Sequence, residues 1–164
     1  MKNRITLTVL SACALIVGGL REQFCTANVE TAAGTHKGAL SRRADAALAH
    51  TNLLLKKGSD ERHVAVCGAG DYPVGSTSDS SDAAEDLINV RPLGSGMTRK
   101  LRCATALGDD IDVFTAANGF VQALPVGAGT YYNVGRTVAT AVQEGTSNYV
   151  VEVATRAPLK TVVT

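Results

Sequence analysis

Tryptophan is absent from this chain, and aromatic residues fill only 4% of its 164 positions. That excludes a core built on large aromatic anchors, and it leaves too few rings for the sugar platforms that usually accompany paired catalytic carboxylates. A strong excess of one charge is also missing. The formal net charge is +1, whereas a domain that binds nucleic acid electrostatically carries a basic patch and a high pI. The four cysteines, Cys13, Cys25, Cys67 and Cys103, are irregularly spaced. None sits in a CxxC or stands with a histidine at metal-ligand spacing, so the expected role is that of a small buried hydrophobe with a reduced thiol. No amphipathic period of helical length runs through the chain.

What is present is small and apolar. Ala, Val and Leu carry most of the 45% hydrophobic content, and there are sixteen glycines. Such a composition suits short strands, tight turns and close backbone packing, at a length that fits one domain with an appended arm. Strands are expected at Thr51–Lys57, His63–Cys67, Ile88–Leu93, Met97–Ala106, Ile111–Phe114, Tyr131–Val138 and Thr146–Thr155, with a last one at Thr161–Thr164. In the Met97–Ala106 strand, Leu101 and Cys103 face one way and Arg102 and Ala104 the other. Asn118-Gly119 predicts a hairpin returning through Phe120–Pro125. Tyr72-Pro73-Val74-Gly75 reads as a turn, and Ser76–Asp86 as an exposed polar loop in which Asp82–Glu85 can cap one helical turn. Arg43–His50 has the propensity for about two turns of helix. The fold class expected is all-β: a compact small barrel or sandwich of about eight to ten short strands with an extended N-terminal arm.

The N-terminus admits two readings. Met1-Lys2-Asn3-Arg4 before an apolar stretch resembles an export signal, and Leu10-Ser11-Ala12-Cys13 matches a lipoprotein cleavage box. The apolar core ahead of Cys13 is only about six residues, short for a signal, and apolarity continues beyond it. The stretch is also shorter than the roughly 20 residues of a membrane span. Alternation of Ile5, Leu7 and Val9 against Thr6 and Thr8 favours a strand. Residues 1–33 are therefore expected to form an uncleaved arm or strand, apolar enough to pack on a partner. An exported or lipid-anchored β-domain that binds a surface or small ligand is the alternative.

Chemistry is hard to find. His36, His50 and His63 all precede residue 64 and none adjoins a GxSxG elbow. Gly68-Ala69-Gly70 and Gly127-Ala128-Gly129 do not continue into GxGxxG and read as turn glycines. The acidic groups Asp79, Asp82, Glu85 and Asp86, and Asp109, Asp110 and Asp112, lack the ordered spacing of a calcium loop. No catalytic, cofactor-binding or metal residue is assigned, no cofactor is expected, and an enzyme is not expected. Charge is unevenly distributed: residues 1–62 hold nine Lys/Arg against five Asp/Glu, the remainder seven against ten. Arg42, Arg43, Lys56 and Lys57 are candidate contacts because they lie near the arm, although a solvated charged face explains them equally well.

One pattern extends across residues 34–164. Lys57-Gly58-Ser59-Asp60 leads to His63-Val64-Ala65, then to Asp71-Tyr72-Pro73-Val74-Gly75 and the acidic loop before Asn89-Val90. Ala117-Asn118-Gly119, Gly129-Thr130-Tyr131-Tyr132-Asn133-Val134-Gly135-Arg136 and the closing VVEVATRAPLKTVV follow. This run resembles a family of bacteriophage capsid cement, or head decoration, proteins. The resemblance implies a β-rich domain, made in the host cytoplasm, on the outside of a tailed-phage capsid. There it would bridge neighbouring major capsid protein subunits and touch other copies of itself, a trimer being favoured, with no direct nucleic-acid or membrane partner. Residues 1–33 lie outside the resemblance. Ile5, Leu7 and Val9, with the four basic residues, are the candidate contacts to capsid or neighbour.

Overall fold

A computed structural model describes residues 38–94, 97–146 and 148–164; the arm expected over residues 1–33, with Ile5, Leu7 and Val9, lies outside them. The described residues belong to the unit Gly38–Thr164. They form β1 (Leu40–Ala44), β2 (Leu53–Lys57), β3 (His63–Val66), β4 (Gly75–Thr77), β5 (Leu87–Pro92) and β6 (Thr98–Cys103). These are followed by β7 (Asp112–Thr115), β8 (Val121–Gln122), β9 (Gly129–Thr137), β10 (Val142–Glu144) and β11 (Asn148–Val163). The all-β expectation holds, with a few more strands than counted from the sequence.

The first five strands close a barrel in the order β1-β3-β2-β4-β5, parallel only between β1 and β3, with β5 pairing back to β1 from Leu40↔Val90 to Arg43↔Leu87. Alternation builds its interior, as on β5, where Ile88 and Val90 are buried while Leu87, Asn89 and Arg91 are exposed. The other six strands form a sheet in the order β10-β11-β6-β8-β7-β9, and β9 also pairs β11, so these pairings run in a second ring. Strand β2 serves both halves. Leu53 and Leu55 join Ala44, Val64, Ile88 and Val90 in the barrel core, whereas Leu54 joins Cys67, Leu101, Cys103, Val134 and Val151 in the second core. Three consecutive leucines are therefore buried on one strand. Burial pushes the Cys67 thiol up to about 12 and the Cys103 thiol up to about 11, which keeps both protonated as ordinary core residues.

Several expectations need correction. Arg43–His50 is not helical. Its backbone donors reach across the fold instead, Ala44 N–H to Asp86 O (3.0 Å), Asp45 N–H to Val64 O (2.9 Å) and Leu48 N–H to Ser81 O (2.8 Å). Barrel closure thus overrides helix propensity. The polar Ser76–Asp86 segment starts as strand, with Ser76 and Thr77 buried in β4. Glycine suits the head of that strand, since a Cβ on Gly75 would come within 2.6 Å of Val90 Cγ1 and 2.7 Å of Arg91 O. Asp82–Glu85 forms a turn, not a helical one, and the cap comes from Asp86 Oδ2, which accepts from the N–H groups of Asp82 and Ala83 (both 3.1 Å). Arg102 is buried on the far side of β6 from Leu101, where it reaches Thr51 O (3.1 Å) and Glu144 Oε2 (3.0 Å). The hairpin at Asn118-Gly119 is present between β7 and β8: both residues have positive φ (60° and 73°), as a type I′ turn demands. Its return strand is only Val121–Gln122.

Candidate interaction surfaces

Strand alternation decides where the four basic candidates point. On β1, Leu40 and Arg42 are half-buried and Arg43 is exposed. Leu40 opens β1, Lys57 ends β2, Val64 lies near the start of β3, and Pro92 ends β5, so one end of the barrel gathers them. They border a cavity of about 280 Å³ whose walls are mostly apolar and whose cations are Arg42 and Lys57. Arg42 Nη1 donates to the neighbouring Ser41 carbonyl (3.0 Å). The other two candidates are engaged elsewhere. Arg43 pairs with Glu85 (3.5 Å), and Lys56 Nζ donates to Asp71 Oδ2 (2.8 Å). Asp71 also accepts from Gly68 N–H (2.8 Å). The Lys56 hydrogen bond holds the Asp71 carboxyl below its ordinary range, and Asp71 in return raises the Lys56 pKa. The structure brings Arg42 and Lys57 together and assigns Arg43 and Lys56 to ion pairs.

His63, beside the same cavity, was not legible as a site residue because one of its two partners, Glu85, is distant in sequence. Its Nδ1 lies 2.7 Å from Asp60 Oδ1 and its Nε2 2.9 Å from Glu85 Oε1. The imidazole is only 13% exposed between these two exposed carboxylates. The hydrogen bond to Asp60, then that to Glu85, raises the His63 pKa, and the same bond lowers that of Asp60. Because the folded value is raised, this stabilisation is complete below the unfolded histidine pKa of about 6.5 and disappears as pH rises through the folded value. The Asp60 shift has the opposite sense and acts only in acid. The melting temperature is therefore expected to fall as the pH rises above the unfolded histidine pKa of about 6.5, and the fall should shrink in His63→Gln. An unchanged pH profile in that variant would refute the clasp.

A second surface is the ribbon formed by β9 and the distal half of β11, paired from Leu159↔Asn133 to Val163↔Gly129. Strand β11 leaves β6 at Ala154↔Thr98, so among the described residues its outer edge beyond that point has no strand partner. Leu159 and Val162, both 60% exposed, lie on it. Two-stranded ribbons are marginal alone, and unpaired edges invite pairing.

No protein-family model and no curated protein matches the chain. Its fold does match a solved structure, described as the crystal structure of head fiber gp8.5 N base in bacteriophage phi29. The superposition has a TM-score of 0.51 at 16% identity and covers 74% of this chain and 96% of that chain. At that identity the likeness is one of fold, and it spans nearly the whole of that base. Among the described residues no helix is long and apolar enough to cross a membrane.

Proposed function

We propose that the chain is a structural protein of a tailed-phage virion, bound without catalysis to the outer surface of the capsid. There it stabilises the shell by bridging major capsid protein subunits. The observation that carries the reading is the fold shared with a phage head fiber base over 96% of that chain. The resemblance of residues 34–164 to capsid cement proteins points the same way. Bridging works by multivalency: a molecule that holds several subunits at once makes the loss of any one of them intramolecular and quickly reversed. The barrel-end cavity with Arg42 and Lys57 is the surface assigned to the capsid. The β9–β11 ribbon, with its open edge, Leu159 and Val162, is assigned to neighbouring copies, in a trimer.

Co-sedimentation of the full-length protein with mature capsids of its own virion tests the reading. Wild type is expected to pellet with the shells and to raise the temperature at which they release DNA. Arg42→Glu with Lys57→Glu should weaken binding roughly tenfold or more, since two attractive contacts become repulsive. Failure of the wild type to pellet, with no thermal protection, would overturn the proposal.

A further inference from the structure

Between β4 and β5, segment 81–86 runs as a strap along residues 44–48 and is tied to them at both ends. At one end Leu48 N–H donates to Ser81 O (2.8 Å) and Ser81 N–H returns the bond to Leu48 O (3.2 Å). At the other, Ala44 N–H donates to Asp86 O (3.0 Å) and Glu85 N–H to Ala44 O (2.8 Å). The strap lies against apolar ground, since Ala44 and Leu48 both belong to the barrel core. Its second end is strained. Glu85 has a φ of +68°, in the left-handed region that disfavours a residue with a long side chain. Its side chain is what anchors it: Oε1 lies 2.9 Å from His63 Nε2, and Arg43 Nη1 lies 3.5 Å from Oε2 and 3.1 Å from the Glu85 carbonyl oxygen.

The imidazole between Asp60 and Glu85 has one protonation state that satisfies both. An ionised carboxylate only accepts, so both ring nitrogens must donate, and only the imidazolium carries two N–H groups. Loss of the proton leaves one nitrogen lone pair facing a carboxylate oxygen. Asp60 keeps the remaining proton, because it is three residues away and its Oδ1 is fixed by Arg62 N–H (2.7 Å). Glu85 is then the partner released. We propose that His63 is a proton-operated latch, which closes the Glu85 end of the strap as the imidazolium and lets it open as the neutral ring. Other charges surround the ring. Arg43 of β1 is its register partner, and Arg42 of β1, Lys57 of β2 and Glu61 of the preceding turn border the cavity beside it, where β5 presents only Val90 and Pro92. The Asp86 carboxylate is turned to its own segment, on the N–H groups of Asp82 and Ala83. Among these residue types only histidine ordinarily changes charge between about pH 5 and 8. The bond to Asp60, then that to Glu85, raises the His63 pKa, so release comes above the ordinary histidine value of about 6.5. The latch acts whatever the barrel-end cavity binds.

The test is NMR of the full chain from about pH 6 to about pH 9. Ring nitrogen shifts should change from those of the imidazolium to those of the Nδ1–H tautomer. Amide protection at Ala44 and Glu85, corrected for the intrinsic exchange rate at each pH, should fall roughly threefold or more over the same step. Both should also exchange far faster than Val151 in the other core, as local opening requires. His63→Gln should abolish the step. Glu85→Gly, which suits a positive φ without any latch, should abolish it too while leaving Ala44 protected throughout. A ring already neutral at the acid end, a neutral ring protonated on Nε2, or a step that survives either substitution would each overturn the proposal. So would protection at Ala44 and Glu85 that ignores pH or equals that of Val151.

Discussion

Replacing Leu54 by alanine is expected to destabilise the fold by about 4 kcal/mol, near the top of the range for a buried leucine. Leu54 has no solvent exposure and projects from the barrel strand β2 into the core of the other half, among Cys67, Leu101, Cys103 and Val151. A cavity collapses only when its walls can move. Here one wall is the closed barrel, held at this point by the hydrogen bond from Cys67 N–H to Leu54 O (3.0 Å) and by the antiparallel pairs Leu53↔Thr77 and Leu55↔Val66. The opposite wall is the ring of second-sheet strands. Neither can relax into the space, so the full transfer and cavity terms should persist. Against a total stability of about 5–15 kcal/mol, the loss would be large. With a urea m-value of about 2 kcal/mol/M, the unfolding midpoint should drop by about 2 M. Leu54→Met, which keeps the volume, should lose less than about 1.5 kcal/mol. A drop below about 1 kcal/mol for Leu54→Ala would mean the two halves do not share this side chain as a rigid wedge.

The parts of the fold written in local chemistry were legible in the sequence. Asn118-Gly119 predicts its hairpin because positive φ at two successive residues is a property of those residues alone. The alternation of Ile88 and Val90 likewise shows on its own strand which face is buried. Features that depend on what lies opposite were hidden. Ser76 and Thr77 have loop composition, yet they lie buried on β4 between β2 and β5, beside Gly75, where the neighbouring strand leaves no room for a Cβ. Two expected strands, Thr146–Thr155 and Thr161–Thr164, are one strand of 16 residues, since a register shift between Thr155 and Leu159 carries the chain past Pro158 without ending its pairing. The candidate surfaces divide in the same way. Clustering of Arg42, Arg43, Lys56 and Lys57 was visible, but only the pleat shows that Arg42 and Lys57 share the cavity while Arg43 and Lys56 have partners.

Gly135→Ala is expected to be as damaging as the loss of Leu54, through overpacking instead of a void. Gly135 is buried on β9 where that strand pairs on both sides, with Val113 of β7 and Thr155 of β11. A Cβ there would collide with the carbonyl oxygen of Ala154 and would stand 2.7 Å from Val153 Cγ1 and 3.0 Å from Thr155 Cα. Two of these obstacles are backbone atoms of the partner strand, which cannot rotate away as a side chain can. Relief requires β9 and β11 to separate just where they close the second ring, beside the register shifts at Val113/Phe114 and Thr155/Leu159. Separation would also disturb Asn133, whose Oδ1 accepts from Gly135 N–H (3.1 Å) and Arg156 Nε (2.8 Å). A destabilisation of about 3 kcal/mol or more follows, and the melting temperature should fall by roughly 10 °C. Gly38 supplies the control, since a Cβ there meets nothing within 4 Å; Gly38→Ala should stay within about 0.5 kcal/mol of wild type. If Gly135→Ala melted within a degree or two of Gly38→Ala, the β9–β11 closure would have to be looser than the register implies. Hydrogen exchange at Val153 and Thr155 would then show it, as fast exchange already in the wild type.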